Sequence, residues 1–323
     1  MLKPFCGLLL LFWALHASAH TNTSLPQPSV GQLKRLENFP SQFVPARHID
    51  IWFPQGYDSS QKYAVLYMHD GQMLFDATTT WNKQEWRVDE VSQQLIDRGQ
   101  VKPFIVVGIH NGDVNRHSEY FPQKPFMQLS PSQQQQQYQQ MRSKTVKLFS
   151  KPVYSDAYLK FIVRELKPYI DQNFPVESAR ERTFIMGSSM GGLISMYALN
   201  EYPEIFGGAA CLSTHWPGSF QSKDNPIPAQ FFSYLQAKLP AVGHHKLYFD
   251  YGDQTLDAWY PPLQRQVDAI MQQKKYPASL WQTRFFKGED HSEQAWAKRL
   301  DIPLTFLMGS STAKTVSEKP HNH

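Results

Sequence analysis

Ser189 stands in Gly187-Ser188-Ser189-Met190-Gly191, a setting that can turn a serine into a nucleophile. The string fits the G-x-S-x-G elbow, in which a strand turns sharply into a helix and lifts the serine hydroxyl clear of the sheet. Both flanks are present. Arg182-Thr183-Phe184-Ile185-Met186 reads as a short buried strand, and residues 192–199 read as a helix. The N–H of Met190 then faces any oxyanion formed beside Ser189. The helix that begins there turns its positive end toward the same point. A serine hydroxyl alone attacks poorly, so the chemistry also needs a base and a carboxylate to orient that base.

The base and the acid are sought after the serine, on loops that follow later strands. His291 meets this requirement in Lys287-Gly288-Glu289-Asp290-His291-Ser292, past the apolar run 281–286 and before a helical pattern. His215, after the run 208–212, is the next candidate. The loop after 246–250 offers two carboxylates, Asp253 and Asp257. Asp257 is preferred because it lies several residues beyond the strand end and opens a helix, where capping is its plain structural role. Asp253 stays as the alternative. Asp250 falls within the strand and reads as a packing or hydrogen-bonding residue. A second oxyanion donor belongs in the loop His69-Asp70-Gly71-Gln72-Met73, where the N–H of Gly71 or Gln72 is the candidate. Taken by itself, Asp70-Gly71 is an ordinary turn.

The elements that must hold these residues follow from hydrophobic patterning. Short buried runs at 63–68, 104–109, 182–186, 208–212, 246–250 and 281–286 alternate with helical periodicity at 88–96, 157–170, 193–200, 263–271 and 293–300. That alternation predicts an α/β fold with a mainly parallel central sheet and helices on both faces. Residues 42–44 and 48–54 are the expected opening antiparallel strands. Ligands bind beyond the carboxyl ends of such strands. This places Trp81-Asn82, Glu85-Trp86, Asn111, Arg116, Glu119, Tyr120 and Thr214-His215-Trp216 around the expected pocket. Trp81, Trp86, Asn111, Arg116, His215 and Trp216 are the candidate substrate contacts, and Arg116 with Glu119 is read as an ion pair across one loop.

Two segments break the rhythm. Residues 118–155 carry several prolines and the tract Gln133-Gln134-Gln135-Gln136-Gln137, and read as a partly helical insertion whose glutamines form a solvated helix face. Residues 216–229 read as a loop. Residues 20–309 are expected to form one domain, followed by a polar, disordered tail at 310–323. Residues 1–19 match an export signal: Lys3, a short apolar run at 8–15 and Ala17-Ser18-Ala19. The expected location is therefore the periplasm or the exterior, with no membrane span left after signal removal. Cys6 lies in that signal, which leaves Cys211 as a buried small hydrophobe and allows no disulfide within the domain. The formal charge of +4 with scattered basic residues argues against a nucleic-acid footprint.

Four strings together carry a resemblance. Residues 67–76, Tyr-Met-His-Asp-Gly-Gln-Met-Leu-Phe-Asp, are similar to the oxyanion loop of the esterase family that includes enterochelin esterase-like, S-formylglutathione hydrolase-like and feruloyl esterase-like enzymes. Gly187-Ser188-Ser189-Met190-Gly191-Gly192 resembles its elbow. Leu256-Asp257-Ala258 and Glu289-Asp290-His291-Ser292-Glu293 resemble its acid and histidine loops. The resemblance spans about residues 45–308, with the strings in the family's order. It implies an α/β-hydrolase fold, no metal or other cofactor, and hydrolysis of a small-molecule carboxylic ester through an acyl-enzyme. It does not transfer a substrate, because the family spans siderophore lactones, aromatic acyl-sugars, thioesters and acyl transfer. The acid loop departs from the feruloyl-type spacing, which keeps Asp253 in play. An acyltransferase on the same residues and a non-catalytic binding protein on the same fold are the competing expectations.

Overall fold

A computed structural model describes residues 24–220, 222 and 224–309. The expected export signal and polar tail lie outside the described residues. Eight strands form one sheet: β1 (Gln32–Phe39), β2 (Arg47–Phe53), β3 (Ala64–His69), β4 (Phe104–Ile109), β5 (Thr183–Ser188), β6 (Gly208–Leu212), β7 (Lys246–Tyr251) and β8 (Trp281–Phe285). Their spatial order is β1-β2-β4-β3-β5-β6-β7-β8. β1, β2 and β4 pair antiparallel, and every pairing from β4 through β8 is parallel. Six strands therefore end on one edge, and the loops leaving that edge carry every expected catalytic group.

The buried strands have the composition that parallel pairing demands. Every residue of β3, β4, β5 and β6 is buried, because helices cover both faces. On one face, residues of the helices Ser155–Phe161, Met190–Glu201, Ile227–Lys238 and Pro261–Gln273 join Val65, Val107 and Ile185 in one apolar layer. On the other, Val88 and Leu95 of Val88–Asp97 and Leu304 and Leu307 of Asp301–Met308 pack with Leu66, Val106 and Met186. This is the mainly parallel sheet with helices on both faces that the alternation of runs predicts, and it agrees with the α/β-hydrolase fold that the resemblance implies.

Two boundaries and one side-chain orientation differ from the pattern reading. The opening strand is Gln32–Phe39, not 42–44. It is an edge strand bonded only to β2, so its residues are exposed or half-buried and give no apolar run. It is fixed by Arg35, whose Nε and Nη2 each reach a carboxylate oxygen of the fully buried Asp50 at 2.7 Å. The segment read as a loop through 229 becomes helical at Ile227, since Pro228 falls in the first turn, where the missing N–H costs nothing. The glutamine tract lies on Pro131–Tyr138, started by a capping box between Ser130 and Gln133. Gln135 and Gln136 are exposed there, while Gln137 turns inward.

The insertion is tied to the sheet by a buried ion pair. Arg47 of β2 holds Glu119 through two bonds of 2.9 and 2.7 Å, and Tyr154 donates to the same carboxylate at 2.8 Å. The expected Arg116–Glu119 pair is thus replaced: Glu119 points into the core and Arg116 points to the site. Breaking one side of such a pair strands a buried charge. Arg47→Met is expected to destabilise the domain by about 3–5 kcal/mol, while adding Glu119→Leu to it recovers much of that loss. Urea unfolding of the single and double variants checks this; equal stability of Arg47→Met and the parent contradicts it.

Candidate active site

Ser189 lies at the turn from β5 into Met190–Glu201 with φ 58° and ψ −122°. A side chain in that region of backbone space costs about 1–3 kcal/mol, and it persists only where the surroundings fix it. Here the Ser189 N–H donates to the Leu212 carbonyl at 2.9 Å, and the Ser189 carbonyl accepts from the N–H of His215 at 3.2 Å. Gly187 makes the turn possible: a Cβ there would lie 2.8 Å from the backbone carbon of Gly191.

The acid and histidine loops meet behind the serine. His291 Nδ1 lies 2.6 Å from Asp257 Oδ1. Asp257 is fully buried, and its other oxygen accepts from Ser213 Oγ and from the Gly252 N–H, each at 2.6 Å. The Gly252 contact requires glycine, because a Cβ there would sit 2.0 Å from the Glu289 carbonyl oxygen. Asp253, by contrast, bonds the Gly288 N–H and the Gln254 side chain at the surface. Asp250 of β7 is buried and bonded to Arg299 and to the Ser213 N–H, as a packing residue would be.

Sequence reasoning missed Ser213, which joins these networks. Its hydroxyl donates to Asp257 and accepts from Trp296 Nε1 at 2.9 Å and Arg299 Nη2 at 3.0 Å. Trp296 also packs edge-on against the His291 ring at 5.0 Å and beside Trp86 at 5.1 Å. No local signal marks Ser213 in the sequence; its place after β6 is the only pointer.

Gly71 and Gln72 open a short turn after β3, with Asp70 in left-handed backbone at φ 58°. Asp70 anchors this loop. Arg116 grips it with two bonds of 2.6 and 2.7 Å, and Asn111 Nδ2 donates at 2.7 Å. Burial opposes ionisation of Asp70, but the Arg116 charge outweighs it and holds the carboxyl below its usual range. The loop packs on the elbow: a Cβ on Gly191 would lie 3.4 Å from Asp70 Oδ2 and 3.5 Å from the His69 side chain. Met190 is buried at the helix start.

A cavity of about 540 Å³ opens over these groups. Ser189 and His291 line it together with the expected Gln72, Trp81, Trp86, Asn111 and Arg116, and with the unforeseen Asp70, Asp113, Arg142, Glu293 and Trp296. Trp81 stands 84% exposed at its rim. His215 and Trp216, expected to touch substrate, are both buried instead. The Trp216 indole donates to Gln264 inside the protein at 2.8 Å, and its ring packs against Phe231 and Phe232 of the helix Ile227–Lys238 and against Phe249 of β7. Among the described residues no cluster of three or more His, Cys, Asp or Glu is placed to hold a metal ion, and no helix is long and apolar enough to cross a membrane.

The pattern of the family described as Putative esterase matches residues 43–304. The chain belongs to this esterase family. Among curated relatives, the uncharacterized protein YjcH of Bacillus subtilis is 23% identical over 56% of this chain and 60% of its own. The chain thus spans about 60% of the length of the curated relatives it matches. Among solved structures, a ferulic acid esterase superposes with a TM-score of 0.60 at 18% identity, covering 86% of this chain and 98% of its own. The enterobactin esterase FES of Shigella flexneri gives 0.60 at 18% identity, covering 87% and 60%. At these identities the structures establish the shared fold, and family membership supports activity on esters.

Two histidines of this esterase domain give a pH test. Burial pushes His69 down to about 3, and burial with the nearby His291 does the same to His215. Both stay neutral in the folded chain, whereas in the unfolded chain they bind protons below about 6.5. The unfolded state therefore holds more protons as pH falls, and stability present above pH 6.5 is lost toward pH 3. The loss approaches about 1.4 kcal/mol per pH unit for each histidine. Urea unfolding at pH 7, 6 and 5 should show a falling midpoint; a flat series contradicts the assignment.

Proposed function

We propose that this chain is an exported serine carboxylesterase acting through Ser189, His291 and Asp257. The single observation that carries the reading is the 2.6 Å bond from His291 Nδ1 to a buried carboxylate, with His291 and Ser189 lining one cavity. Asp257 accepts a hydrogen bond from the His291 Nδ1–H and so fixes the tautomer, which leaves Nε2 bare to take the serine proton. Ser189 Oγ then attacks the ester carbonyl to form the acyl-enzyme. The oxyanion is held by the N–H of Met190 and by that of Gly71 or Gln72, a loop pinned by the Asp70–Arg116 pair. The imidazolium protonates the leaving alcohol, and the imidazole next activates water to release the acid.

The cavity suits a small-molecule ester with polar groups. Its volume is in the range of small-ligand sites. Its walls offer Asn111, Arg116, Arg142 and Glu293 as hydrogen-bonding and charged partners, with Trp81 and Trp86 as flat apolar surfaces. The export reading rests on residues 1–19 alone.

Three variants assayed on p-nitrophenyl acetate separate the roles. Ser189→Ala is expected to abolish turnover with the fold intact by circular dichroism. Asp257→Asn is expected to lower kcat by on the order of 10⁴, the loss that follows when a triad imidazole is held in the wrong tautomer. Asp253→Asn should leave kcat unchanged. Full activity in Ser189→Ala, or equal losses at Asp253 and Asp257, would sink the assignment.

A further inference from the structure

The insertion at 118–155 carries a charge that the esterase mechanism above does not use. Between Glu119 and Asp156 the chain has Lys124, Arg142, Lys144, Lys147 and Lys151, and neither Asp nor Glu. Lys124 is paired with Glu201, and Lys151 lies over the Tyr154 ring at 5.9 Å. Arg142, Lys144 and Lys147 are exposed and make no ion pair among the described residues. They stand on one hairpin, where the Arg142 and Ser143 N–H groups donate to the Val146 carbonyl at 2.8 and 3.2 Å and the Leu148 N–H donates to the Gln140 carbonyl at 2.9 Å. Buried Leu148 and Phe149 anchor its base, and Ser150 Oγ donates to Asn115 Oδ1 at 2.8 Å, which ties it to the segment after β4. Of these hairpin cations, Arg142 lines the cavity that holds Ser189 and His291, and the two lysines do not.

The neighbouring charges of the cavity are largely met from within. Arg116 commits both Nε and Nη2 to Asp70. Glu293 accepts from Asn82 Nδ2 at 2.9 Å and lies within reach of the Arg116 charge. Asp113 is the remaining carboxylate in the lining, and it forms no ion pair with Arg142. Burial and the nearby Arg116 hold Arg142 below the ordinary guanidinium range, and the push from Arg116 exceeds the pull from Asp113. Arg142 still stays protonated at neutral pH. It therefore meets the cavity as a charged fork with no carboxylate bonded to it. The parallel N–H groups of such a fork match the two oxygens of a carboxylate through charge-assisted bonds. A cation at the same place would be repelled by Arg142 and Arg116 together.

On the reading that Ser189 is the nucleophile in this cavity, we propose that Arg142 is a specificity-determining residue, which binds a carboxylate-like anionic group carried by the ester away from its scissile carbonyl. The substrate class is then an anionic ester rather than a neutral one. Arg142 takes no part in the chemical step. It selects by favouring the charged ester over the same ester with its charge capped, which is a difference between two affinities. The insertion thus supplies a residue for recognition, while the strand-end loops supply those for catalysis.

Two pairs of esters test this, one with the charge on the acyl side and one with it on the alcohol side. The first is the p-nitrophenyl half-ester of adipic acid against its methyl ester. The second is p-carboxyphenyl butyrate against the methyl ester of that carboxylate. In at least one pair the parent should prefer the free carboxylate, and Arg142→Gln should lower that preference roughly threefold to tenfold, mainly through KM. Lys144→Gln removes the same charge from the same hairpin outside the cavity and should keep the preference. A parent with no preference in either pair, a preference unchanged in Arg142→Gln, or an equal loss in Lys144→Gln overturns the role of Arg142 alone. A parent that cleaves none of the four esters overturns the esterase reading, and this inference with it. Should Arg142→Gln not fold, salt decides in the parent. Raising ionic strength from about 0.01 M to about 0.15 M should raise KM for the charged ester and not for its capped partner, and equal responses overturn the proposal.

Discussion

The arrangement depends on how one buried carboxylate is satisfied. Asp257 has no exposure to water, so its charge must be met by donors inside the protein. Those donors come from three loops: Ser213 after β6, the Gly252 N–H after β7 and His291 after β8, each at 2.6 Å. Removing any one leaves a buried oxygen lone pair with nothing to replace it. The same knot that solves this burial problem orients the His291 ring, and Ser213 extends it to Trp296 and Arg299. The convergence of three loops and the orientation of the imidazole are thus set by one group.

The parallel sheet is what brings the donors together. Side-by-side parallel strands deliver their carboxyl ends to one edge, so loops far apart in sequence converge without any long-range design of the backbone. The elbow after β5 and the Asp70 loop after β3 meet at Gly191, and Arg116 from the segment after β4 holds the latter in place. Small residues mark the closest approaches. At Gly187 and Gly252 backbone passes backbone with no room for a Cβ. The antiparallel strands β1 and β2 extend the sheet on the side away from the acid and histidine loops.

Most of this was legible from local pattern. The buried strands declared themselves as apolar runs, because a strand covered on both faces has no polar positions. The elbow, the Gly71 loop and His291 were legible because each sits immediately after such a run. Asp257 was separable from Asp253 only by its distance past the strand, and the contrast in their surroundings shows why that distance matters: Asp257 is carried inward to His291, while Asp253 stays at the surface bonding Gly288. What was illegible depends on long-range contact. The edge strand β1 has no apolar run, because only one neighbour covers it. Ser213 and Asp70 are ordinary residues in sequence, and their roles come from partners 44 and 46 positions away. His215 and Trp216 misled for the same reason: position after a strand does not say whether the chain then turns up toward the cavity or down into the core.

The central claim is that Ser189 forms a covalent acyl-enzyme with its ester substrate. The most direct measurement is mass spectrometry of the protein mixed with an ester of a slowly hydrolysed acyl group and quenched in acid within the first turnover. The account predicts a mass increase equal to the acyl group, located on the peptide that contains Ser189 and absent in Ser189→Ala. Ester hydrolysis with no adduct at Ser189, or an adduct on another residue, would contradict it.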